Sequence, residues 1–284
     1  MERISVHIVT FARYGELVAL LTSLRFQTFK EWDLFIKDEN AKPLIEHKLI
    51  SDLLNRFKLE GHAVRYFHEP LRCGIANARQ WLVEKDDLND LIYRCDDDSI
   101  LEPDLLQLLY TGINSKYLHF DVGAVAPIVP DYGVPLAQRE VKNINIFNEI
   151  KFDSEGNIVY LGDDAGYYWK FETNAPYLFS HHLRSTFLFR KSISNQVGGH
   201  PKEYGSISGA REETDFSMRI AMAGYKLLTC TNAVCWHLRA AEGGARAPPD
   251  VYQQAWNTND EHWRLKFKRY FKQGRIQNGT FTVI

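Results

Sequence analysis

Three features of the chain predict an α/β fold, a doubly wound and mostly parallel sheet with helices on both faces. Short apolar runs rich in β-branched residues alternate with longer segments whose apolar residues recur every three or four positions, as strands alternating with helices do. One strand-like run, Leu91-Ile92-Tyr93, leads into three consecutive aspartates, Asp96-Asp97-Asp98, and doubly wound sheets bind ligands beyond the carboxyl ends of their strands. The 284 residues are 45% hydrophobic, ample for one large core.

Ile4-Ser5-Val6-His7-Ile8-Val9 reads as a buried strand, because β-branched residues fit a pleated surface. Residues 14–26 carry Leu17, Leu20, Leu21 and Leu24 at helical spacing, and 32–36 are strand-like again, completing a βαβ unit. Leu49, Leu53, Leu54 and Phe57 repeat the helical spacing over 45–59, followed by a strand at 64–67, a helix at 76–84 and a strand at 90–93. From Asp131 to about His182 the pattern loosens into Gly, Asp, Asn and aromatic residues, Tyr167-Tyr168-Trp169-Lys170-Phe171 among them. This segment reads as an insertion that lines a pocket. A strand at 187–190, a helix from Glu213 to Ala223 closed by Gly224, and a strand at 227–236 complete the pattern. The expected organisation is one domain over 1–240, with 131–185 as its insertion, and an extension over 241–284.

Composition narrows the classes. A net charge of −2 and a pI near 6.6 give no general reason to expect nucleic-acid binding. The longest apolar runs, such as 17–21, are far too short to cross a bilayer, and the N-terminus lacks a secretion signal. A cytoplasmic location is therefore expected. Cys73, Cys95, Cys230 and Cys235 form no C-x-x-C pair and are expected to be free thiols.

Packing three like charges together is unfavourable, so Asp96, Asp97 and Asp98 call for a compensating cation. Carboxylate ligands suit Mg2+ or Mn2+, and such an ion with open positions can also hold phosphates. The bland alternative is a solvated acidic turn. An EF-hand is excluded, since it requires Asp or Asn at Ile100 and Gly at Leu101.

The joint order of these motifs resembles the inverting glycosyltransferases of family 2, from Ile4 to His237. The resemblance implies the GT-A fold, whose sheet is Rossmann-like. Asp38, in Phe35-Ile36-Lys37-Asp38, matches the aspartate with which the family recognises the nucleotide base, and Thr10 with Arg13 would approach the same nucleotide. Gly74-Ile75-Ala76-Asn77-Ala78-Arg79 is similar to the family's glycine-to-arginine stretch near the donor. Asp96, Asp98 and Pro103 fit its Asp-x-Asp metal motif, and Glu212-Glu213-Thr214-Asp215-Phe216 resembles the motif of the catalytic base, usually Glu-Asp. Trp236-His237 falls where many members place a metal-binding histidine.

The resemblance implies transfer of a sugar from a nucleoside diphosphate sugar, of UDP or dTDP type, to a hydroxyl of a glycan or lipid-linked acceptor. Surface polysaccharide synthesis, with Mn2+ or Mg2+ as cofactor, is the implied setting. Asp98 and His237 would ligate the metal, and Asp96 would contact the ion, its water or the donor ribose. Asp97 is the alternative nucleotide-facing carboxylate. Glu213 would be the general base; the competing reading is that Glu212, Glu213 and Asp215 merely favour the positive end of their helix. Arg79 would pair with a phosphate or an aspartate. The glycine-rich stretch 238–246, with Arg239 and Arg246, suits a lid over the diphosphate.

Two rival functions stand beside this one. A sugar nucleotidyltransferase would need a phosphate loop that Thr10-Phe11-Ala12-Arg13-Tyr14-Gly15 matches poorly, and a non-catalytic module would bind nucleotide sugar without turning it over. Near the C-terminus Trp263, Phe267, Tyr270 and Phe271 recur at helical spacing among Lys266, Lys268, Arg269, Lys272 and Arg275. Such a helix either docks its aromatic face on the domain, the favoured reading, or lies on the inner face of an anionic membrane through 260–275.

Overall fold

The N-terminal β-branched run forms β1 (Ile4–Thr10), buried throughout. The structure, a computed structural model, describes residues 2–283 except 116–119, 135–136, 140–145, 163–168, 172–174, 205–207 and 277–279, and at 137–139 and 169–171 it describes the backbone alone. After β1 come α1 (Tyr14–Arg25), β2 (Trp32–Asp38), α2 (Lys48–Leu59), β3 (Val64–His68), α3 (Ile75–Lys85) and β4 (Leu91–Asp96). β1 pairs in parallel with β2 on one side and β4 on the other, with Thr10 opposite Asp38 and Val9 opposite Asp96. The carboxyl ends of these strands therefore meet at one edge.

β5 (Ser99–Leu101), α4 (Leu105–Ile113) and β6 (Val122–Ile128) continue the chain. The short strands β7 (Ala137–Arg139), β8 (Ile150–Phe152), β9 (Ile158–Leu161) and β10 (Trp169–Phe171) follow. Then come β11 (Tyr177–Ser180), β12 (Phe187–Arg190), α5 (Lys191–Gln196), α6 (Glu212–Met222), β13 (Lys226–His237), α7 (Pro249–Lys272) and β14 (Thr282–Val283). The main sheet runs β11-β13-β6-β12-β4-β1-β2-β3. β3, β2, β1, β4, β6 and β13 point one way, while β12 and β11 run against them. This is the mostly parallel sheet that the alternation predicts.

Strand alternation feeds two core layers. Leu91, Tyr93 and Cys95 of β4 face the layer built with the leucines of α1, Leu54 and Phe57 of α2, and α4. Ile92 faces the other, shared with Phe187 and Phe189 of β12, Phe216 of α6, and Trp263 and Phe267 of α7. Cys95, Cys230 and Cys235 are buried free thiols and Cys73 a half-buried one, as expected.

The predicted helix over 45–59 is divided. Leu44–Glu46 is a single 3-10 turn and α2 begins only at Lys48, because His47 is extended and the Leu44 amide is bound by Asp38 Oδ2 at 2.7 Å. The fourth strand extends beyond 93 to Asp96, which puts Arg94 inside the sheet. α4 and β6 were not anticipated from the sequence. α4 does carry a helical period, with Leu105, Leu106, Leu109 and Ile113 buried on one side and Gln107 and Thr111 exposed on the other, whereas β6 contains Gly123, Ala124, Ala126 and Pro127, all weak strand formers.

The C-terminal segment docks. Trp263 and Phe267 are fully buried, Phe271 stacks on Phe152, and β14 pairs with β8. The aromatic face offered to a membrane in the alternative reading is thus spent on the core, and 241–284 shares that core with the rest of the chain. No helix among the described residues is long and apolar enough to cross a membrane. Trp263→Ala should destabilise the fold by about 3–5 kcal/mol, read as a lower urea midpoint at unchanged slope.

Five histidines, His7, His62, His181, His182 and His200, are buried, and burial lowers the pKa of each, His182 and His200 to about 4. Below pH 6.5 the unfolded chain takes up protons that the folded chain refuses, so stability falls as pH drops from 6.5 towards 4. The loss is on the order of 3 kcal/mol for each of the last two. Asp97, pushed up to about 6 by burial, acts in the opposite sense, since the folded chain accepts its proton first; His237, raised, does likewise. Both offset only part of the loss. Urea unfolding at pH 7 and 4.5 should show the lower midpoint at 4.5, and equal midpoints would refute the assignment.

Candidate active site

The triplet sits where β4 ends and β5 begins, and it is no solvated turn, for Asp97 and Asp98 are only 3% and 1% exposed. Each aspartate has its own partners. Asp96 accepts hydrogen bonds from Arg79 on α3 and from the Ser185 hydroxyl. Asp97 Oδ1 accepts from Arg13 Nη1 at 2.6 Å, and Oδ2 has no hydrogen-bond partner among the described residues. Burial raises the Asp97 carboxyl to about 6, and Arg13 holds it from going higher. Asp98 Oδ1 lies 3.0 Å from the same Arg13 nitrogen, while Oδ2 lies 3.3 Å from His237 Nε2 and accepts from the Ala240 amide. Burial alone would raise Asp98, but His237 and Arg13 outweigh it and its pKa is lowered.

β13 delivers His237. Its first part pairs with β6, its register shifts between Cys230 and Val234, and its end pairs with β5, setting His237 opposite Ser99. Asp131 Oδ1 stands 3.5 Å from His237 Nδ1, and Asp131 Oδ2 takes Arg239 Nε at 2.9 Å. Burial disfavours the imidazolium, yet Asp98 beside it prevails and raises the His237 pKa.

A cleft opens over these groups. Arg13, Arg79, Asp96, Asp97, Asp98, Glu213 and His237 all line it, so the fold brings together seven of the nine residues selected from the sequence. Two stay out of it. Thr10 is buried at the end of β1. Asp38 has both oxygens occupied, Oδ1 by the Asn40 amide and side chain and Oδ2 by the Leu44 amide and the Tyr66 hydroxyl. It therefore organises the turn after β2. Its neighbour Glu39 lines the cleft, held by Lys37 at 2.5 Å.

The two glutamates of α6 part company. Glu212 is clasped by Arg94 through both oxygens and approached by Arg79 Nε at 3.6 Å and His200 Nδ1 at 3.4 Å. Although burial opposes its charge, Arg94 wins and holds Glu212 far below the ordinary range. Glu213 makes no ion pair among the described residues; burial, then the Glu212 charge, raise its pKa.

The stretch 238–246 lies over the aspartates. Leu238 donates to the Asp98 carbonyl and Gly244 to the Phe11 carbonyl at 2.7 Å, while Arg72 holds the Gly244 carbonyl at 2.5 Å. From the 131–185 insertion, Arg184 and Ser185 line the cleft; Tyr167 and Tyr168 and the side chains of Trp169, Lys170 and Phe171 lie outside the described residues.

Glu39, Arg94, Asp131, Arg184 and Ser185 went unnoticed in the sequence. Local strain marks the same places. Ala12, Ser185, Arg211 and Arg239 adopt positive φ of 54°, 53°, 71° and 51°, and they precede Arg13, line the cleft, precede Glu212 and follow His237. Non-glycine residues in that region cluster at functional sites, a signal that no residue type announces.

The mixed sheet with helices on both faces is the GT-A fold of glycosyltransferases, and solved structures share it. GalNAc-T7, solved with UDP, GalNAc and Mn2+, aligns at 17% identity and TM-score 0.64 over 90% of this chain and 48% of its own. The mannosyltransferase PcManGT from Pyrobaculum calidifontis, in complex with GDP-Man and Mn2+, aligns at 14% and 0.58 over 98% of this chain and 65% of its own. Residues 1–349 of S. aureus TarS with UDP-GlcNAc align at 12% and 0.55 over 89% and 64%. The chain thus spans about half to two thirds of the length of these proteins. The profile of glycosyl transferase family 2 matches residues 5–170, more than half of the chain, and the chain belongs to that family. No curated protein matches it by sequence.

Proposed function

We propose that the protein is a metal-dependent inverting glycosyltransferase that moves a sugar from a nucleoside diphosphate donor to an acceptor hydroxyl. The observation that carries this reading is one cleft lined both by the Asp98–His237 pair, 3.3 Å apart, and by the half-buried Glu213, which makes no ion pair among the described residues. Among the described residues no group of three or more His, Cys, Asp or Glu is arranged around a metal position. An oxygen and an imidazole nitrogen nevertheless fit Mn2+, which commonly completes its shell with water and substrate phosphates. Asp98 and His237 would hold the ion, and when bound it neutralises the departing diphosphate.

The rest falls to the chain itself. Arg79, with Nη1 lacking a hydrogen-bond partner among the described residues, supplies a donor for phosphate oxygens. Asp97 and Asp96 border the donor ribose. Glu39, in the cleft where Asp38 is not, is the carboxylate that meets the base. Glu213 takes the proton from the attacking hydroxyl; its raised pKa brings it closer to neutral pH, where a general base is most effective. Single displacement from the face opposite the diphosphate inverts the anomeric centre. UDP- and dTDP-sugars are the favoured donors and a glycan or lipid-linked hydroxyl the favoured acceptor, with surface polysaccharide synthesis at the cytoplasmic face resting on the family resemblance alone.

Thermal melting with UDP, dTDP, GDP and CMP, each with and without Mn2+, tests the donor half. One nucleotide should raise Tm only with metal, by several degrees near 100 times its Kd, and Asp98→Ala should abolish the shift. If no nucleotide acts, or Asp98→Ala responds like the parent, the reading fails.

A further inference from the structure

Arg13 stands where an incoming cation would have to compete. Its guanidinium bridges Asp97 Oδ1 at 2.6 Å and Asp98 Oδ1 at 3.0 Å, and its side chain is 7% exposed. The charges of Asp97 and Asp98 are thus already met by an arginine supplied from the start of α1, as that of Asp96 is by Arg79. The same side chain carries the strap that crosses the cleft. Its Nε donates to the Glu242 carbonyl at 3.1 Å. Gly243 and Gly244 lie directly on it at positive φ; a Cβ on Gly243 would come within 2.7 Å of Arg13 Cγ, and one on Gly244 within 2.6 Å of its guanidinium carbon. Glycine is needed here for close approach as well as for backbone conformation. A second arginine completes the fastening, as Arg72 stacks over Phe11 at 4.1 Å and holds the Gly244 carbonyl.

We propose that Arg13 is a latch, a resident counter-ion that a divalent metal must displace from Asp98, and that its displacement releases the 238–246 strap. Two cations cannot share one buried carboxylate without mutual repulsion, so loading the metal moves the guanidinium. A guanidinium that moves leaves Glu242 and the two glycines without the surface they rest on. Metal entry and strap opening are then one event, and the freed Arg13 becomes available to the donor's phosphates. Metal entry thereby prepares the cleft for the donor. The proposal rests on the assignment of Asp98 and His237 as metal ligands.

The test uses the full chain and Mn2+ alone. Mn2+ binding is followed by electron paramagnetic resonance in the parent, Arg13→Gln and Asp98→Ala, and hydrogen exchange of the Gly244 amide, which is bonded to Phe11, is followed in the parent with and without Mn2+. Arg13→Gln should bind Mn2+ about tenfold more tightly or better, as expected when one competing buried charge is removed. The parent's Gly244 amide should exchange at least about tenfold faster once Mn2+ is bound. Equal Mn2+ affinity in parent and Arg13→Gln, or a Gly244 amide indifferent to Mn2+, overturns the latch. If instead Asp98→Ala binds Mn2+ as well as the parent does, it is the metal assignment that falls. Should Arg13→Gln not fold, the exchange measurement on the parent decides alone.

Discussion

Glu213→Gln should lower the rate of sugar transfer by about a hundred- to ten-thousand-fold, the contribution typical of a positioned general base, and leave metal-dependent nucleotide binding intact. The amide keeps the shape of the side chain and removes only its capacity to accept a proton. Once melting has identified the nucleotide, release of nucleoside diphosphate from the matching donor in the presence of acceptor measures the rate, and the melting shift with nucleotide and Mn2+ is the control. Burial and the neighbouring Glu212 raise the Glu213 pKa, and the base works only when ionised. The acid limb of the parent's pH–rate profile should therefore lie above the ordinary glutamate range and disappear in Glu213→Gln. Turnover at the parental rate in the variant would transfer the role of base to another group. An absence of turnover in the parent as well, with nucleotide still bound, would favour a binding module.

One residue earlier the expected effect is on folding. Arg94→Met leaves Glu212 buried without the guanidinium that clasps it, and removing one partner of a buried pair costs about 3–5 kcal/mol. Tm should drop by roughly ten degrees. Replacing both residues, Arg94→Met with Glu212→Met, should recover much of the loss, because no orphaned charge then remains. A loss below about 1 kcal/mol in the single variant would show that water reaches Glu212 and that the pair is not structural. Successive helical residues point about 100° apart, so adjacent glutamates on α6 meet different surroundings and acquire different duties.

Much of this was legible in the sequence where local chemistry decides the outcome. β1, β2, β3 and β12 lie where apolar and β-branched runs put them, and α1 and α6 follow their helical periods to within a residue or two. Seven selected residues share the cleft, because strand ends in a doubly wound sheet gather at one edge. What stayed hidden depends on distant partners. Asp38 and Glu39 are equally acidic neighbours, and only the backbone turn to Leu44 tells which one is consumed internally. Arg94 reads as an ordinary strand residue until α6 brings Glu212 to it. Arg13 gives no hint in sequence that it neutralises aspartates 84 residues away. The aromatic spacing near 263–271 fitted docking and membrane contact alike until Phe152 and Phe216 supplied the opposing surface.

The packing of α7 also bears on when α6 reaches its final setting. Trp263 and Phe267 complete the layer that supports Phe216, and Lys266 reaches back to Asp215 at 2.6 Å on the helix of the proposed base. During synthesis, the strands bearing the aspartates emerge from the ribosome long before α7 does. Long-range contacts of this kind form late and slow the final ordering of a fold. A nascent chain paused before residue 263 holds the triplet and both glutamates, yet it lacks the wall against which α6 sets. The proposed base is therefore expected to reach its final setting only after α7 has cleared the exit tunnel.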